Sequence, residues 1–137
     1  MCLLTILLAF QPFARSADLP ENVLRREFQL PSTGNTIWIY LPADYKGRKL
    51  PCVLVAPAGS RLYHGMGLGE LSTPEHIPYV EAGFAVIAYE LSGQLPDDSD
   101  GETEKAIQGF VNAKGGVLDA AAALKFATSR ISVIDAE

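Results

Sequence analysis

The sequence predicts an α/β fold: an N-terminal antiparallel hairpin followed by β-α-β-α of a mostly parallel sheet. Three observations predict it. Alternating residues around Phe28 and Leu30 are separated by a turn from the run Ile37, Trp38, Ile39, Tyr40. Two later runs, residues 53–56 and 84–91, are apolar without alternation. A longer segment, residues 103–128, repeats apolar side chains at spacings of three and four.

The hairpin comes first. Phe28 and Leu30 alternate with Glu27 and Gln29, the period of a strand with one face buried. Pro31-Ser32-Thr33-Gly34-Asn35 supplies turn chemistry. The β-branched and aromatic run that follows suits a pleated strand. It ends at Leu41-Pro42, before a polar turn containing Gly47.

Residues 53–56 form a strand of a different kind. An unbroken apolar run fits a strand buried on both faces, as in a sheet covered by helices. Pro57-Ala58-Gly59 ends it. After a Gly-rich loop, Thr73 and Pro74 are suited to cap and open a helix, which Pro78 limits and Gly83 stops. Residues 84–91 give the second buried strand. Two such strands joined through a helix imply a parallel pair with a right-handed crossover.

In the last helical segment, Phe110, Ala113, Val117, Ala121, Leu124 and Thr128 share one face, read as core. Gly115-Gly116 interrupts it, and each mid-helix glycine costs about 1 kcal/mol relative to alanine. The pair is expected to bend the helix or split it. Residues 131–137 read as a turn leading toward another strand.

Composition narrows the function. The 137 residues are 48% hydrophobic and 20% charged, an ordinary globular balance rather than a disordered one. The net charge of -5 and scattered basic residues argue against nucleic acid as a partner, because phosphate binding needs clustered Lys and Arg. His64 and His76 are the chain's two histidines, and no Cys/His cluster has ligand spacing, so no metal and no cofactor is expected. Both histidines read as surface or loop-packing residues.

The first 16 residues read as a signal peptide. Residues 3–10 are an apolar run too short to span a bilayer, and Ala14-Arg15-Ser16 places small residues at the -3 and -1 positions of a cleavage site. The expected mature domain is then 17–137, secreted or periplasmic, with no stable membrane span after processing. Export would remove Cys2 and leave Cys52, inside "PCVLVAP", as a small core residue.

The stretch "LPCVLVAPAGSRLYHGMGLGE" holds the candidate chemistry. A phosphate loop needs a Gly-Lys-Ser/Thr that it lacks, and Gly65, Gly67 and Gly69 do not have dinucleotide-loop spacing. A nucleophile elbow would read Gly-x-Ser-x-Gly, but Ala58 and Leu62 flank Ser60 where the glycines belong. Ser92 misses the motif too. The remaining reading is a tight turn after a buried strand that presents backbone N–H groups to a developing oxyanion.

At "IWIYLPADYKGRKLPCVLVAPAGS" and "YVEAGFAVIAYELSGQ" the chain resembles the N-terminal part of an α/β-hydrolase. It is most similar in flavour to the prolyl-oligopeptidase-like and dienelactone-hydrolase-like branches. "VLDAAAALKFATSRISVIDAE" is similar to the helix and connector that lead to the family's nucleophile strand. The resemblance covers roughly residues 25–137. It implies an incomplete α/β-hydrolase fold, with Gly59 and Ser60 as the oxyanion-hole loop. Tyr63, His64 and residues 89–94 would contribute to one pocket wall. The family often has His-Gly where this chain has Pro57-Ala58-Gly59, so the donors carry over as loop positions.

The family's elbow serine, acid and histidine all fall beyond position 137, so no catalytic residue is assigned. The expectation is the N-terminal fragment of an exported serine hydrolase acting on an ester, lactone or peptide bond. Alone, that fragment would be inactive. A small-molecule or peptide substrate would bind only if the missing C-terminal part completed the site. Self-association through an exposed sheet edge is expected, because the strands at 53–56 and 84–91 would lack a neighbour. The alternatives are a small secreted binding or interaction domain of α/β type and a nucleotide-binding module.

Overall fold

The fold is described from a computed structural model covering residues 19–57, 68–69, 73–95 and 103–135. The segment 1–16 lies outside the described residues. Among them the chain forms four strands and three helices: β1 (Val23–Gln29), β2 (Thr36–Pro42), β3 (Cys52–Val55), α1 (Thr73–Glu81), β4 (Ala85–Tyr89), α2 (Thr103–Asn112) and α3 (Val117–Arg130).

The strands make one sheet in the order β1-β2-β4-β3. β1 and β2 are antiparallel, with Glu27 opposite Trp38 and Phe28 opposite Ile37. β2 and β4 are also antiparallel, and β3 runs parallel to β4 with Leu54 opposite Ile87. The sheet is therefore mixed rather than mostly parallel. The hairpin strand β2 docks directly on β4, which adds a second antiparallel seam.

The alternation of each central strand sorts its side chains between two cores. Ile37, Ile39 and Leu41 of β2 and Ala85, Ile87 and Tyr89 of β4 join Ala123, Ala127 and Ile131 under α3. Trp38 and Tyr40 of β2 and Val86 and Ala88 of β4 join Val80 of α1 on the opposite face. Burial on both faces is what turns β4 into an unbroken apolar run, buried at every position. β3, equally apolar, is only half-buried. An edge T-contact between Phe28 and Phe126, ring centroids 5.3 Å apart, closes the α3 side over β1.

β4 is not short of a neighbour, contrary to the expectation for residues 84–91, because β2 fills one side and β3 the other. β3 meets a further segment on its far side. Leu50 forms a parallel bridge with Ile134, its N–H donating to Val133 O and its carbonyl accepting from Asp135 N, both at 2.8 Å. The next residue, Pro51, turns its carbonyl the other way, to Ala85 N at 2.9 Å. Backbone groups that alternate in this way place Ile134 on the edge opposite β4.

α1 ends in a Schellman motif. Phe84 N–H donates to Tyr79 O at 3.1 Å and Gly83 N–H to Val80 O at 2.9 Å, with Gly83 at φ 92°. The long helical segment is split. Lys114, Gly115 and Gly116 all have positive φ, and α3 restarts after them. The restart resets the helical phase, so the expected stripe fails beyond it. Val117 and Leu124 are 62% and 41% exposed, while Asp119, Ala123 and Ala127 face the sheet. Among the described residues, no helix is long and apolar enough to cross a membrane.

Candidate functional site

β3 and β4 are parallel, so their carboxyl ends lie on one side of the sheet, where ligands bind in open α/β folds. The chain leaves β3 through Ala56-Pro57 and β4 through Glu90-Leu91-Ser92. Because β2 is antiparallel to β4, the hairpin turn before Thr36 comes to the same end.

There the structure builds a polar clasp. Asp119, fully buried in the first turn of α3, accepts from Ser92 N–H at 2.8 Å and from the Ser92 hydroxyl at 2.7 Å. Asn35 Nδ2 donates to the same carboxylate at 3.1 Å, with Ser92 Oγ and the Glu90 carbonyl each 3.2 Å away. The Glu90 carboxylate accepts the Thr36 N–H at 2.6 Å. A buried carboxylate is costly unless donors surround it, and here three donors do so. A negative charge in the first turn of α3 also complements the helix dipole.

Gly93 follows the clasp at φ 96° and lies against α2. A Cβ there would overlap the Ala106 carbonyl oxygen and lie 2.8 Å from Phe110 N. Gly109 meets it from the helix side, its own Cβ position being 3.1 Å from Gly93 Cα. Two glycines therefore let the loop touch the backbone of α2, with Leu95 and Ala106 buried beside them.

This arrangement positions a loop; it does not activate a nucleophile. The Ser92 hydroxyl is bonded to a buried carboxylate that two N–H donors already share, rather than to the imidazole that serves as base in a serine triad. His76, the histidine among the described residues, packs on Tyr40 across the sheet from α3. Among the described residues, no three His, Cys, Asp or Glu side chains converge to hold a metal ion.

Gly59, Ser60, Tyr63 and His64 lie outside the described residues. Of the segment 89–94, Tyr89 is buried in the α3-side core, and burial followed by the Asp119 charge pushes its phenol up. Glu90 and Ser92 belong to the clasp, and Gln94 is exposed. Cys52 is half-buried, and burial first, then the charge of Asp135, raises its thiol above its ordinary range. His76 is neither a surface nor a loop residue: it is 1% exposed, on α1. The sequence reading also missed Asp119 and Asn35. An acidic residue at the head of the alanine-rich "VLDAAAALKF" was the available signal.

No family model and no curated protein matches the chain. Among solved structures it is similar to a PEG-bound cold-adapted esterase from an Arctic intertidal metagenomic library. The TM-score is 0.59 and the identity 15%, covering 89% of this chain and 52% of that one. It is also similar to m3DLH, with a TM-score of 0.54 and 20% identity over 84% of this chain and 46% of that one. An alpha-amino acid ester hydrolase labelled with selenomethionine gives a TM-score of 0.46 and 16% identity, over 98% of this chain and 23% of that one. The chain spans about half the length of the first two. The sheet order and the first two likenesses define the class: a mixed α/β sheet with a partial α/β-hydrolase fold.

Proposed function

We propose that residues 17–137 are the N-terminal part of an exported serine hydrolase that cleaves an ester, lactone or peptide bond. The observation that carries the reading is the Leu50–Ile134 bridge, which starts a further parallel segment beside β3. The order β1-β2-β4-β3 followed by Ile134 starts a third parallel backbone at the amino end of β3, running in the direction of the end where Pro57 and Ser92 emerge. In this reading the nucleophile belongs to the strand that Ile134 enters. Gly59 and Ser60 supply backbone N–H groups to the oxyanion, and Tyr63 and His64 line one wall. The Asp119 clasp fixes the neighbouring loop after β4.

The named roles divide the chemistry. Attack on a carbonyl needs a hydroxyl and a base free to take its proton, whereas the clasp's Ser92 hydroxyl and Asp119 carboxylate are bonded to each other and to the Asn35 amide. Donors preset toward the developing oxyanion contribute separately, and losing one typically costs 10²–10³-fold in rate. The chain alone is expected to be inactive in this reading, and the side of β3 beyond the Leu50–Ile134 bridge is its self-association edge. Residues 1–16 direct export; N-terminal sequencing of the secreted product should begin at Ala17. The test of the main reading is to translate the downstream nucleotides. Gly-x-Ser-x-Gly within about a dozen codons, the reach of one short strand, supports it. Stop codons in every frame contradict it and favour a small secreted binding domain. That second reading draws on the two packed cores the described residues already form.

A further inference from the structure

α1 is a weak helix held by strong packing. It has nine residues and carries Pro74 and Pro78, and Pro78, in the helix interior, removes an intrahelical hydrogen bond. A helix this short is marginal on its own in water. Its attachment to the sheet runs through Thr73, His76 and Val80, the helix residues that are buried.

His76 is the anomaly among them. Its ring lies 5.0 Å from the Tyr40 ring, and its Nδ1 is buried with no hydrogen-bond partner among the described residues. The Tyr40 hydroxyl is 3.5 Å from Thr73 Oγ1 rather than turned to the imidazole. From β4, Val86 and Ala88 present only hydrocarbon to this seam. From β1, the Arg25 guanidinium stacks 4.2 Å over Trp38 and 5.9 Å from the Tyr40 ring. Glu27 accepts from Trp38 Nε1 at 2.8 Å. On α1 itself, Glu75 is adjacent to His76 but exposed. A proton on His76 would thus add a second cation to a seam that already holds Arg25.

We propose that His76 is an acid-triggered release point for α1: its protonation detaches the helix from the sheet while β2 and β4 stay paired. The three strands around it are secured by their own ladders, so the helix can leave as a unit of lower stability than the sheet. Burial, the larger cause, and Arg25 hold the docked imidazole below its ordinary range, against the pull of Glu75. The free imidazole takes its proton near pH 6.5. Docking is therefore undisturbed above that pH and is weakened as pH falls below it, by up to about tenfold per unit, until the docked form also protonates.

Hydrogen exchange of the full chain at pH 7.5, 6.5 and 5.5, normalised for intrinsic chemistry, tests this. Protection across Thr73–Glu81 should fall severalfold between pH 6.5 and 5.5 while β2 and β4 keep theirs. His76→Phe, which retains a ring against Tyr40, should abolish the pH dependence. Unchanged protection of α1, an equal loss in the strands, or an undiminished slope in H76F would overturn the proposal. Should H76F not fold, an NMR titration of His76 in the unaltered chain decides. An ionisation below that of a free imidazole is expected, and one at or above it overturns the proposal.

Discussion

Ser92 donates both its backbone N–H and its hydroxyl to Asp119, at 2.8 and 2.7 Å, and so ties the exit of β4 to the first turn of α3. The carboxylate is fully buried and also accepts from Asn35, in the turn between β1 and β2. One side chain thus joins three parts of the chain at the end of the sheet where the candidate site lies.

Asp119→Ala should destabilise the chain by about 3 kcal/mol, since it strands several buried donors at once. Asp119→Asn should cost less, about 1–2 kcal/mol, because it keeps an acceptor but turns an amide toward one donor. Urea midpoints of the two variants check the order. Equal midpoints for all three proteins would show that the clasp contributes nothing.

Gly93→Ala should cost about 2–3 kcal/mol, because the added methyl meets the backbone of α2 at a left-handed residue. Gly83→Ala, also at positive φ but with open space around its Cβ, should cost only about 1 kcal/mol. Thermal melts of the two variants side by side separate steric overlap from backbone strain.

Ala127→Lys should prevent folding, whereas Leu124→Lys should change stability by less than about 0.5 kcal/mol. Ala127 is fully buried and Leu124 is 41% exposed. Circular dichroism and urea unfolding distinguish them. The reverse pattern would restore the stripe read through Gly115-Gly116.

Stability should decline in alkali. The Cys52 thiol and the Tyr89 phenol are both raised by burial, so the unfolded chain loses these protons first. The decline begins above about pH 8.5, the ordinary thiol value, and deepens near pH 10 as the phenol follows. Urea midpoints from pH 7.5 to 10.5 follow it, and Cys52→Ala should remove the earlier part of the fall.

Much of the sheet was legible in the sequence because side-chain period reports burial directly. The unbroken run Ala85-Val86-Ile87-Ala88-Tyr89 can be satisfied only with cover on both faces. Strand neighbours were not legible, since period says nothing about which edges meet, and β2 took the place beside β4. The stripe of α3 failed for a geometric reason: three positive-φ residues restart the helix, and spacing counted across them has no meaning. Asp119 was missed for the same reason. Counted from Gly116, it falls on the face of Ala123 and Ala127, where a buried acid asks for donors. His76 was misread because a lone histidine carries no sign of its depth; Val80, one turn along the same helix, was the cue.

Under the proposed function this chain supplies the sheet and the supporting loops of a hydrolase site, but not its nucleophile. The most direct measurement is p-nitrophenyl butyrate hydrolysis by the purified chain, with labelling by a fluorophosphonate. A rate linear in substrate, no burst and no label are expected under that function. A saturable rate with stoichiometric labelling of Ser60 or Ser92 would contradict it.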